Sequence, residues 1–158
     1  MPHTARNMDR EHRISAGAIV IREDQVLLVR YDGTGGGSYL VGPGGAVLSN
    51  ESLHQAVARE VREETGLDVT PQKVLFVEDL LSRRHRIVKV WFLCNLIDGR
   101  LVNTQGSLEE GIIDAAWYRK DELLDEVVYP PALLSYEWVT FAGHNWESKC
   151  LELRETDF

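Results

Sequence analysis

The chain has 158 residues, a formal net charge of -8 and 44% apolar residues, which suits a single globular domain with its own core. The acidic balance works against a long nucleic-acid partner, because each phosphate contact needs a neutralising cation. No stretch approaches the roughly 18 consecutive apolar residues of a membrane span, and the polar opening MPHTARNMDREH lacks the apolar run of a signal peptide, so a cytoplasmic location is expected.

In chain order, residues 1–12 are expected to form a flexible arm and residues 13–158 the domain. The aliphatic runs Ile14–Ile21 and Gln25–Tyr31, separated by the polar REDQ, predict paired strands. The segment DGTGGGSY (Asp32–Tyr39) then breaks the pattern. Its glycines lack the fixed spacing to a helix start that a phosphate loop needs, so a mobile connection is expected. SNESLHQAVAREVREETG reads as a helix, with Asn50 as N-cap, Glu51 at the positive end of the dipole and Gly66 as the left-handed stop. Val74–Leu81 and Arg86–Ile97 predict two strands joined by the turn SRRH, and Ala115–Tyr118 a further strand. RKDELLDE is read as a short helical piece. PPALLSYEWVTFA is read as a helix opened by its prolines, with Leu133, Leu134, Trp138 and Phe141 as its apolar face. Helices packed on a strand layer give one α/β domain. Cys94 and Cys150 show no metal or disulfide pattern and are expected to be free thiols.

The predicted helix crowds Glu60, Glu63 and Glu64 into five positions beside Arg59 and Arg62. At roughly 100° per residue the three carboxylates share an arc of about 100°, and Leu53, Val57 and Val61 form an apolar stripe next to it. Such a helix can anchor by the stripe and turn its acidic edge into a cleft. Like charges this close repel by only a few tenths of a kcal/mol, so crowding alone admits a plain solvated face neutralised by the arginines.

The wider spacing is more specific. From Gly45, five residues lead to Glu51 and seven more to Arg59, followed by Glu60, Val61, Arg62, Glu63, Glu64, Thr65, Gly66 and Leu67. This resembles the signature of the Nudix hydrolases at every position that signature fixes, seven residue types and two aliphatic sites. The resemblance implies an α/β/α sandwich around a central mixed β-sheet. It also implies a metal site made by Glu60, Glu63, Glu64 and the Gly45 carbonyl, with Arg59 paired to Glu51 or a neighbouring glutamate. Oxygen donors of this kind suit Mg²⁺ or Mn²⁺. The implied reaction is attack of activated water on a diphosphate linkage. Glu63 or Glu64 is the first candidate for general base, and Glu109 or Glu110 of the loop SLEEG the second. Leu48 stands where many relatives carry a glutamate and Asn50 where they carry a glycine, an exchange that a left-handed turn would tolerate.

The implied partner is a small nucleotide substrate, with ADP-ribose or a nucleotide sugar as the leading reading. The alternatives are a nucleoside triphosphate, normal or oxidised, cleaved to pyrophosphate, and a nucleotide-sensing domain without turnover. RNA decapping fits poorly with the acidic balance. Tyr31, Tyr39, Trp91, Tyr129 and Trp138 are candidate base platforms. Arg83, Arg84 and His85 are candidates for a distal phosphate or ribose, and the resemblance allows a homodimer.

Overall fold

The computed structural model describes residues 10–33 and 35–157. Of the expected N-terminal arm, residues 1–9 lie outside the described residues. Residues 11 and 12 belong to the sheet, because β1 runs from Glu11 to Arg22 and pairs Glu11 with His85 and His12 with Arg86. The remaining elements are β2 (Gln25–Asp32), β3 (Ser38–Val41), β4 (Gly44–Ala46), α1 (Leu53–Thr65), β5 (Leu67–Leu81), β6 (His85–Gly99), α2 (Gln105–Glu109), β7 (Ile112–Arg119), β8 (Val128–Tyr129), β9 (Lys149–Cys150) and β10 (Arg154–Glu155).

The strands form one mixed sheet in the order β10-β5-β6-β1-β2-β3-β8, with β4 on β1, β7 on β2 and β9 on β5. At its centre β1 and β6 run parallel over ten paired residues, Glu11↔His85 to Val20↔Cys94. β5 and β6 form a long antiparallel hairpin whose register shifts at three places, one of them just after Pro71, which has no N–H to give the ladder.

The period of two along β1 divides the core. Ala16, Ala18 and Val20 point to the side where Val57 and Val61 of α1 pack, together with Phe92 and Cys94. Ile19 points the other way, into a cluster with Phe76, Trp91, Leu133, Trp138 and Phe141. Burial pushes the Cys94 thiol up to about 12, so it is inert packing; both cysteines are free.

Two helix expectations are corrected. The second core is closed by two 3-10 turns, Pro131–Ser135 and Trp138–Thr140, in place of one helix. Tyr136 between them is extended, with φ -129° and ψ 153°, which lets Leu133, Trp138 and Phe141 all face inward without helical spacing. In α1 the N-cap is Ser52 and not Asn50. Ser52 Oγ accepts from the Gln55 N–H, and the Gln55 side chain accepts from the Ser52 N–H, a complete capping box. Asn50 lies in the turn before it and does not take a left-handed φ. Gly66 closes α1 as expected, at φ 79°, and returns its N–H to the Arg62 carbonyl. No helix among the described residues is long and apolar enough to cross a membrane.

Candidate functional site

The short strand β4 is held antiparallel to β1, Ala16 opposite Gly45, and this brings Gly45 against α1. A Cβ at Gly45 would stand 2.6 Å from Glu60 Oε1, so only glycine lets this carboxylate reach the β4 backbone. Gly44 is equally confined, by the Ala16 carbonyl at 2.5 Å from its ideal Cβ position.

Arg59 organises the acidic edge of α1. Its Nε and Nη2 grip both oxygens of Glu51 at 3.0 and 2.7 Å, a fork-to-carboxylate pair. Nη2 also donates to the Ala46 carbonyl at 3.1 Å, and Nη1 to Glu60 Oε1 at 2.9 Å and Glu63 Oε2 at 3.1 Å. Glu51 in turn accepts from the Leu48 N–H. These bonds, the arginine fork first, pull the Glu51 carboxyl down to about 2. The loop before α1, its acidic edge and β4 are thus tied through one guanidinium.

The expected carboxylates divide. Glu60, Glu63 and Glu110 bring one oxygen each within 4.8 Å of one another. Glu64 is not in that trio. It is buried on the inner side of α1, with Oε1 accepting from the Gly44 N–H at 3.4 Å and Oε2 without a partner. Burial raises its proton affinity well above the usual carboxylate range, and the charges of Glu110 and Glu60 add to this. Glu60 is raised too, mainly by burial, and its Oε2 is likewise unpartnered. Glu109 lies apart from the trio and accepts from Gln105. Glu110 reaches the site because α2 docks on the end of α1, where the Thr104 hydroxyl caps α2 and bonds the Glu63 carbonyl.

Glu60 and Glu110 of the trio line a cavity of about 570 Å³, with Arg59 and the β4 glycines on the same side and the β1 and β6 face on the other, while Glu63 lies outside its lining. Of the candidate aromatic platforms, Tyr31 and Tyr39 line it, stacked on each other at 5.5 Å. Tyr129 packs edge-on behind Tyr39. Trp91 and Trp138 are buried core residues. Of the basic turn, only His85 reaches the cavity. Two cations were not anticipated, Arg13 at the mouth and Lys89 deeper in. The available signal for Lys89 was a single cation inside the aliphatic run RIVKVWFLCNLI.

Residues 11–139 match the family model described as NUDIX domain. Among similar proteins, Nudix hydrolase 2 of Arabidopsis thaliana is 28% identical over 82% of this chain and 46% of its own length. An ADP-ribose pyrophosphatase of Methanocaldococcus jannaschii is 28% identical over 56% of this chain and 53% of its own. The chain therefore spans about half the length of these curated relatives. The crystal structure of an ADP-ribose pyrophosphatase from Streptococcus suis superposes with a TM-score of 0.66 at 25% identity, covering 88% of this chain and 98% of the other.

Proposed function

The chain belongs to the NUDIX domain family, and from that premise we propose that it is a divalent-metal-dependent hydrolase cleaving the diphosphate linkage of a nucleoside diphosphate derivative, ADP-ribose or a nucleotide sugar. The observation that carries this reading is the trio of Glu60, Glu63 and Glu110 beside a cavity of nucleotide size. The names of the relatives from Methanocaldococcus jannaschii and Streptococcus suis support the choice of ADP-ribose.

The residues suit Mg²⁺ or Mn²⁺. All donors are hard oxygens, and the buried Oε2 atoms of Glu60 and Glu64 have no protein partner, a cost that a cation would remove. Glu60, Glu63, Glu64, Glu110 and the Gly45 carbonyl are the groups to hold it. When bound, the metal neutralises diphosphate charge and makes bound water a better nucleophile.

The chain's own residues do the rest. Arg59 fixes Glu60 and Glu63 in place and keeps Glu51 ionised. Tyr31 and Tyr39 offer the ring face for the organic group. Glu110 is the proton acceptor: it lines the cavity, whereas Glu63 is engaged by Arg59. Glu64 is the alternative base, because its Oε2 has no protein partner and burial strengthens its hold on a proton.

The test is a panel of ADP-ribose, nucleotide sugars and nucleoside triphosphates, each with Mg²⁺ and Mn²⁺. The reading expects ADP-ribose or a nucleotide sugar to yield two phosphate monoesters, and Glu110→Gln to lower kcat by about 10²–10⁴-fold. Pyrophosphate released from triphosphates alone would favour the triphosphate reading. No hydrolysis with either metal would favour a sensing domain.

A further inference from the structure

Lys89 stands on β6 two residues from Trp91, so the two side chains share one face of the sheet. Its Nζ lies 4.2 Å from the centroid of the Trp91 ring, a cation held on an aromatic face. The ring itself is firmly seated. Trp91 Nε1 donates to Glu78 Oε1 at 2.7 Å, and the other Glu78 oxygen accepts from Arg154 at 2.8 Å. A Cβ at Gly17 would stand 2.4 Å from the ring and one at Gly42 2.6 Å, so two glycines form the slot that admits it.

This arrangement fixes a cation at the cavity wall without an ion-pair partner among the described residues. Each Glu78 oxygen already holds a bond, one from Trp91 and the other from Arg154. Burial weakens the hold of Lys89 on its proton, while Glu64, Glu78 and Glu60 supply attraction at longer range. The cavity thus has carboxylates on its α1 side and an ammonium on its sheet side. A ligand that satisfies both must be an anion able to share a divalent cation with the carboxylates and still offer an oxygen to the ammonium. A diphosphate has oxygens enough for both.

We propose that Lys89 is a substrate-binding residue that holds a phosphate oxygen of the diphosphate, on the sheet wall opposite the acidic edge of α1. The assignment rests on the hydrolase reading for its substrate class, but its test does not require turnover. The rival role, a structural counter-charge for Glu64, predicts something different: losing the ammonium would disturb the carboxylates and their metal, with no separate effect on phosphate.

The experiment is calorimetric titration of inorganic pyrophosphate in Mg²⁺ into the wild type, Lys89→Met and Lys89→Arg, with the Mg²⁺-induced rise in Tm measured on each. The expected result is a loss of pyrophosphate affinity of about ten- to a hundredfold in Lys89→Met, substantial recovery in Lys89→Arg, and the same Mg²⁺ shift in all three. Unchanged pyrophosphate affinity in Lys89→Met overturns the proposal, as does loss of its Mg²⁺ shift, or a wild type that does not bind pyrophosphate. Should Lys89→Met fail to fold, Lys89→Gln is read against the same outcomes. Lys89-dependent pyrophosphate binding in a chain that hydrolyses nothing would keep this inference and remove the hydrolase reading. Hydrolysis with an unaltered KM in Lys89→Met would do the reverse.

Discussion

Arg59 meets Glu51, Glu60, Glu63 and the Ala46 carbonyl at once, and a lysine cannot reproduce that reach. An ammonium keeps the charge but loses the planar fork that holds both Glu51 oxygens. Arg59→Lys should therefore leave the fold intact and lower kcat roughly ten- to a hundredfold through misplaced carboxylates. Steady-state kinetics beside a thermal melt checks this, and wild-type kcat would refute the positioning role. The pairing of Arg59 with Glu51 or a neighbouring glutamate was implied by the family resemblance and not by spacing alone, and Arg59 bonds Glu51, Glu60 and Glu63 together. The sequence pattern did not separate Glu64 from Glu60 and Glu63. All three share an arc, but burial is decided by what packs above the arc, and here Gly44 and the sheet cover Glu64 while Glu63 stays exposed.

α1 shows where local rules are reliable and where they slip. Gly66 was legible as a C-cap because a left-handed residue after a helical run strongly favours glycine. The N-cap was misplaced by two residues, since Asn50 and Ser52 are both good caps and only the reciprocal bond with Gln55 separates them. Ser52→Ala should cost about 1 kcal/mol, a Tm lower by about 2–4 °C for a chain of this size, and Asn50→Ala should be close to neutral. Equal losses in the two melts would contradict the capping box. The segment from Pro131 misled for a different reason. Its apolar residues recur at intervals that suit a helix, but the extended Tyr136 lets two short turns bury the same residues.

Across the molecule, the cavity was the least legible feature. Its walls come from β1, β2, β3, β4, α1, β5, β6, the loops flanking β4 and the residue after α2, and no local pattern shows that Lys89 will stand over Trp91 or that Gly17 and Gly42 make room for that ring. The sheet order itself depends on β1 pairing with β6 across more than 70 residues, which only the complete set of buried faces decides. Charge pairs also act at this scale. Glu51 and Glu126 are held below the usual glutamate value, chiefly by hydrogen bonds from Arg59 and Arg30. A carboxylate depressed on folding stabilises the native state above its unfolded value of 4.5 and loses that effect as pH falls, for Glu51 down to about 2. Asp79 is lowered in the same way by Arg86, so melting temperature should decline from about pH 4.5 towards pH 2, and less steeply in Glu126→Gln, which removes one of these depressed carboxylates. Parallel curves for the two proteins would exclude the Arg30–Glu126 pair as a contributor.

The central claim is that the crowded acidic edge of α1 exists to hold a divalent cation. Its most direct test is Mn²⁺ binding measured by electron paramagnetic resonance on the wild type and on Glu60→Gln, the buried member of the trio. The account predicts saturable binding in the wild type and a large loss of affinity in the variant. Equal binding by the two proteins, or none by either, would contradict it.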